Sequence, residues 1–139
     1  MREVLLHGGM DAAFDRSAGF ARRLAESLGA RLHVLYTIED PLAAGWTSEV
    51  SAERMPEVHE AMEDEARERL SPYIPREDQE RLDVQIALGT GPADQEVVRY
   101  ANENGIDLAI VQARADDPGS MDLARAVLDG AACAVLVLR

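Results

Sequence analysis

Two short stretches of this 139-residue chain hold residue types that can do chemistry once loops gather them. In the first, His7-Gly8-Gly9-Met10-Asp11, an imidazole and a carboxylate flank a glycine pair suited to a tight turn. The second runs from Gln112 through Arg114 to Gly119-Ser120, where a glycine and a hydroxyl precede a helix and could hold a small anion. Arg114 is the cation near that turn, and Asp116 and Asp117 oppose it.

Other reactive types point to structural roles. All fourteen basic residues are Arg, so the chain has no lysine for a phosphate loop, a Schiff base or a general base. The single cysteine, Cys133, excludes an internal disulfide and a thiolate cluster, and its apolar neighbours predict a buried small hydrophobe. His59 and Glu63 lie one helical turn apart but have no third partner for a metal. His7, which closes the first strand, reads as a hydrogen-bonded structural histidine, and no Gly-x-Ser-x-Gly elbow is present.

The balance of 14 basic against 26 acidic residues gives a formal charge of -12, which argues against nucleic-acid binding and against anionic membranes. No stretch approaches the ~18 apolar residues of a membrane span, and the first residues enter an apolar strand directly, so we expect a cytoplasmic protein. The length suits a single domain over residues 1–139.

These residues are positioned by alternating strands and helices. Val4 to His7 is an apolar strand stopped by Gly8-Gly9, and Phe14, Ala18, Ala21, Ala25 and Leu28 then recur at helical spacing up to Gly29. Arg31 to Ile38 is apolar on both faces, as in a central strand. Glu39 to Ser51 reads as a loop carrying Trp46, and Met55 to Leu70 as an amphipathic helix with an acidic outer face. Leu82 to Leu88 alternates as an edge strand would. A helix holding Val97 and Ala101 stops at Gly105, Leu108 to Val111 is a second central strand, and a helix through Ala124 and Val127 precedes the last strand, Ala134 to Leu138. Five strands and four helices in this order predict an α/β fold of three layers, a parallel sheet with helices on both faces.

Gly29-Ala30-Arg31-Leu32-His33-Val34-Leu35, Asn102 through Val111, and Ala132 through Leu138 resemble corresponding segments of universal stress protein A domains, and the match follows the element order of essentially the whole chain. The resemblance implies a Rossmann-like, adenine nucleotide alpha hydrolase-like sheet in the order 3-2-1-4-5. Its crevice would lie between strands one and four, where open α/β sheets bind ligands. Crevice candidates are Gly8, Gly9, Met10, Asp11, Gln112, Arg114, Gly119 and Ser120.

Many family members bind ATP, and this chain departs from their pattern. Their first strand ends in Asp-Gly-Ser, where this chain has Gly8-Gly9-Met10. Their fourth strand leads into Gly-x2-Gly-x9-Gly-[Ser/Thr], where this chain has Gln112 and Ala115 for the first two glycines and reaches Gly119-Ser120 four residues later. A loop so shortened is not expected to wrap a triphosphate. His7-Gly8-Gly9-Met10-Asp11-Ala12 also resembles the Ser-Gly-Gly-x-Asp-Ser loop of ATP pyrophosphatases, keeping Gly8, Gly9 and Asp11 but neither serine.

The resulting expectation is a homodimeric binding or signalling module of the non-ATP-binding branch, acting in the stress response without catalysis or cofactor. It would engage a protein partner of unknown identity or a small ligand. The alternative is an adenine-nucleotide-binding protein, for ATP or AMP, that uses Gly8, Gly9, Asp11 and Ser120 and is capable of weak hydrolysis. The last strand carries neither charge nor proline from Val135 to Leu138, and family members often dimerise there, so Val135, Leu136 and Val137 are the expected dimer strand.

Overall fold

A computed structural model describes residues 2–8, 12–37 and 55–139, with the side chains of residues 12 and 55–62 left out. The loop bearing Trp46, residues Gly9, Met10 and Asp11, and the side chain of His59 fall outside the described residues. Strands β1 (Glu3–His7), β2 (Arg31–Thr37), β3 (Gln85–Gly89), β4 (Leu108–Gln112) and β5 (Ala134–Leu138) form one parallel sheet in the order β3-β2-β1-β4-β5. Helices α1 (Ala12–Leu28), α2 (Met55–Leu70), α3 (Arg76–Arg81), α4 (Ala93–Glu103) and α5 (Pro118–Gly130) connect and cover it. The order is the expected one.

β1 lies at the centre, paired with β2 from Glu3↔Arg31 to His7↔Leu35 and with β4 from Val4↔Leu108 to Leu6↔Ile110. Its middle residues, Val4, Leu5 and Leu6, are wholly buried, because helices cover both faces. On one face Val4, Leu6, Leu32, Val34 and Ile110 pack with α1 and the end of α2. On the other, Leu5, Leu35, Ala109 and Val111 pack with α4 and α5.

The helix stops have a common cause. Gly29 and Gly105 both take positive φ, +62° and +61°, which a residue without Cβ adopts freely. After each, a backbone N–H turns back into the last helical turn: Ala30 onto Ala25 at 2.9 Å, and Ile106 onto Ala101 at 3.2 Å. Ile106 is thereby buried against the second core.

The fifth helix, α3, is a departure from the four expected. Its sequence, Arg76-Glu-Asp-Gln-Glu-Arg81, has no apolar residue, so hydrophobic periodicity cannot reveal it. It turns a single side chain inward: Gln79 is buried and donates from Nε2 to the carbonyls of Ile74 (2.9 Å) and Arg67 (3.3 Å). Because α3 ends at Leu82 and Asp83 takes φ +49°, β3 starts at Gln85 rather than Leu82. Leu82 and Val84 are buried all the same.

Phe14 joins these elements. It is fully buried near the start of α1, and its ring meets Tyr73 edge-on with centroids 5.2 Å apart. Phe14→Ala is expected to lower unfolding free energy by about 3–5 kcal/mol, measurable as a reduced urea midpoint at unchanged slope.

Candidate functional site

The carboxyl ends of β1 and β4 open into a cavity of about 350 Å³ lined by His7, Gly8, Gln112, Asp117, Gly119 and Ser120, with Ala93 and Leu123 at its side. Of the expected crevice residues, Gly8, Gln112, Gly119 and Ser120 therefore meet at one place. Arg114 does not join them: it lines a neighbouring cavity of about 460 Å³ on the α1 side, and Gln112 is common to both.

His7 ends β1 half-buried, with Nε2 2.8 Å from Thr37 Oγ1 at the end of β2. Desolvation by burial lowers its pKa from 6.5 to about 4, so the ring is neutral at neutral pH. The hydrogen bond expected of this histidine is present. A neutral ring contributes polarity to the crevice and no charge.

Gly8 follows. A Cβ there would fall 2.0 Å from Cδ2 of Phe14, so the glycine is required by the packing of that ring. Its N–H points to the carbonyl of Leu35 at 3.4 Å, a long contact that prolongs the β1–β2 pairing. Across the crevice Gln112 donates from Nε2 to the carbonyl of Ala13 at 2.8 Å, tying the end of β4 to the start of α1.

The turn into α5 is closed on itself. Asp117 is the N-cap residue and Pro118 follows at the first helical position; the cap carboxylate accepts the N–H of Ser120 at 3.3 Å. The Ser120 hydroxyl accepts from the N–H of Arg114 at 2.8 Å and donates to the carbonyl of Asp117 at 2.7 Å. Arg114 in turn is gripped by Asp116 through two bonds, of 3.1 and 2.8 Å, and that guanidinium holds the Asp116 carboxyl below its ordinary range. The anion that this helix terminus would attract is thus supplied by the chain itself.

Thr37 and Asp117 are the site residues that sequence reasoning missed. Asp before Pro, with Ser three positions on, is a helix-start signal for Asp117. Thr37 carries no such signal, because only the sheet register brings it to His7.

Cys133 is half-buried rather than buried, since it precedes an edge strand, and burial still pushes its thiol pKa up. Among the described residues no group of three or more His, Cys, Asp or Glu side chains could hold a metal. No described helix is long and apolar enough to cross a membrane.

The model of the universal stress protein family matches residues 7–139. Among solved structures, a universal stress protein in complex with cAMP superposes with a TM-score of 0.65 at 15% identity, over 99% of this chain and 96% of that one. One from Archaeoglobus fulgidus in complex with dAMP gives 0.62 at 20% identity, over 100% and 98%. The universal stress protein UspA from Lactobacillus plantarum gives 0.55 at 20% identity, over 99% and 97%. A search of curated protein sequences returns no match.

The His7 environment sets a pH dependence. With a folded pKa of about 4 against 6.5, the unfolded chain binds the additional proton between these values, so stability falls as pH drops through that window. Asp78, Asp107 and Asp116 have pKa values lowered from 3.8, and what they contribute is lost mainly below the window. Urea midpoints at pH 7 and pH 4.5 should therefore differ more for the wild type than for His7→Gln; equal differences would assign the effect elsewhere.

Proposed function

The chain belongs to the universal stress protein family, and we propose that it works there as a cytoplasmic, homodimeric binding or signalling module of the non-ATP-binding branch, without catalysis. The observation that carries this reading is the closed turn before α5. The Ser120 hydroxyl is spent between Arg114 and Asp117, and the Asp117 carboxylate occupies the helix terminus. A triphosphate placed there would have to displace both and lie beside Asp116 and Asp117, with no lysine to offset them. Gly8, retained for Phe14, is no sign of phosphate approach.

A homodimer through β5 is supported by the state of that edge. Val135 and Val137 lean on the α4–α5 core and Leu136 and Leu138 on the α1–α2 core, and all four are only half-buried. β4 covers one side of the strand, and the opposite side is an apolar sheet edge of the kind a second copy pairs with.

A second reading is favoured by the cavity at the sheet's switch point and by fold relatives solved with cAMP and dAMP. In it the crevice takes an adenine mononucleotide, with Gly8 and Ser120 in contact with it. A monophosphate needs less of the missing loop than a triphosphate does.

Denaturing the purified protein and assaying the supernatant separates the two. Absence of adenine nucleotide, together with an unchanged melting temperature on adding ATP-Mg or AMP, is expected from the first reading. Stoichiometric release of ATP or AMP would replace it with the second. Light scattering at micromolar concentration should give twice the chain mass of 15.2 kDa, and a monomer would remove the dimer from the proposal.

A further inference from the structure

Among the described residues one buried side-chain oxygen lacks a hydrogen-bond partner, Oε1 of Gln79. Gln79 is only 3% exposed, and its Nε2 already donates to the carbonyls of Ile74 and Arg67. Turning the amide over would set its oxygen against two carbonyl oxygens, so the surroundings fix which end is the acceptor. An amide oxygen buried without a donor has lost its hydration and gained nothing in return. The fold therefore favours any occupant of this region that brings an N–H or O–H.

Gln79 lines a cavity of about 320 Å³ where the end of α2, α3 and the start of β3 come together. Because the strands are parallel, this is the amino end of the sheet, opposite the crevice. Its wall carries both signs of charge: Arg67 and Arg76 supply guanidinium groups, Glu80 and Asp83 carboxylates. Arg67 is half-buried and donates from Nη1 to the carbonyl of Val84 at 3.2 Å, which fixes its position. Arg76 lies 3.6 Å from Glu68, and Asp83 lies 3.4 Å from Arg31. A wall balanced in this way favours neither a simple anion nor a simple cation.

We propose that this cavity binds a small zwitterion of the α-amino acid type. Its ammonium would donate to Gln79 Oε1 and face Glu80 and Asp83, and its carboxylate would lie on the Arg67 and Arg76 forks. A primary ammonium brings three donors and no acceptor, which answers an unpartnered oxygen and carboxylates together. A planar guanidinium matches the oxygen pair of a carboxylate. The site shares no residue with the crevice and does not depend on whether the crevice takes a nucleotide.

Titration of the isotope-labelled full chain with glycine tests the proposal, read from the Gln79 side-chain amide and the α3 backbone amides in nitrogen–proton correlation spectra. Saturable displacement of these resonances is expected, with half-saturation at about millimolar for so small a ligand. Methylammonium chloride and sodium acetate, at matched ionic strength, each carry one half of the zwitterion and should bind about tenfold or more weakly. Arg76→Gln and Glu80→Gln, both at exposed positions, should each weaken glycine binding about fivefold or more. Arg125→Gln, on the exposed face of α5, should leave it unchanged. Gln79→Leu should abolish binding, and if that variant does not fold, the two exposed variants decide. No saturable displacement would mean that water alone answers Oε1 and would overturn the proposal. So would methylammonium binding as tightly as glycine, or equal weakening by Arg125→Gln.

Discussion

The central strand constrains everything around it. β1 is paired on both edges and covered on both faces, so its middle three residues have no access to water and must be apolar. Polar groups on β1 are confined to its two ends, Glu3 below and His7 above. The crevice chemistry is accordingly a chemistry of strand ends, where chain direction reverses into helices and backbone groups are left to be satisfied by side chains. Gln112 with Ala13 and Asp117 with Ser120 each satisfy such a group, and His7 with Thr37 pairs two side chains beside them. Together they border a cavity of about 350 Å³.

Much of this could be read from residue pattern. Wherever burial dictates composition, continuous apolar runs such as Val4 to Leu6 and Leu108 to Val111 located the central strands, and the Phe14-Ala18-Ala21-Ala25 stripe located a helix and its inward face. Gly29 and Gly105 marked helix ends because the backbone there needs positive φ. What the pattern could not show was whatever is held by polar contacts between distant residues. α3 is held by one buried glutamine and by ion pairs of Asp78 with Arg22 and Arg81 with Glu26, Thr37 reaches His7 through register, and the arginine-lined cavity is built from residues 13 to 139. Gly8 is the instructive case. It matches nucleotide-loop glycines by position, yet its small size is demanded by an aromatic ring behind it.

Charge is distributed less evenly than the composition suggests. The crevice is lined by a neutral histidine and a carboxylate, while Arg16, Arg114 and Arg139 line the adjoining cavity, Arg114 paired with Asp116.

At the lower end of the sheet His33, on the inner face of β2, is almost wholly buried between two partners, Glu3 of β1 through Nε2 and the hydroxyl of Tyr100 on α4 through Nδ1, each at 2.7 Å. This chain of contacts bears on how the strands find one another. Sliding β2 along β1 by two residues would keep every apolar side chain on its proper face, and burial alone would hardly penalise it. The same slip would carry the imidazole about 6–7 Å from Glu3 and leave it buried without a partner. A lone histidine in the apolar interior thus acts as a proofreading device for register: mispaired sheets that satisfy the hydrophobic pattern are left with an unanswered polar group, and the native alignment is the one in which it is answered twice.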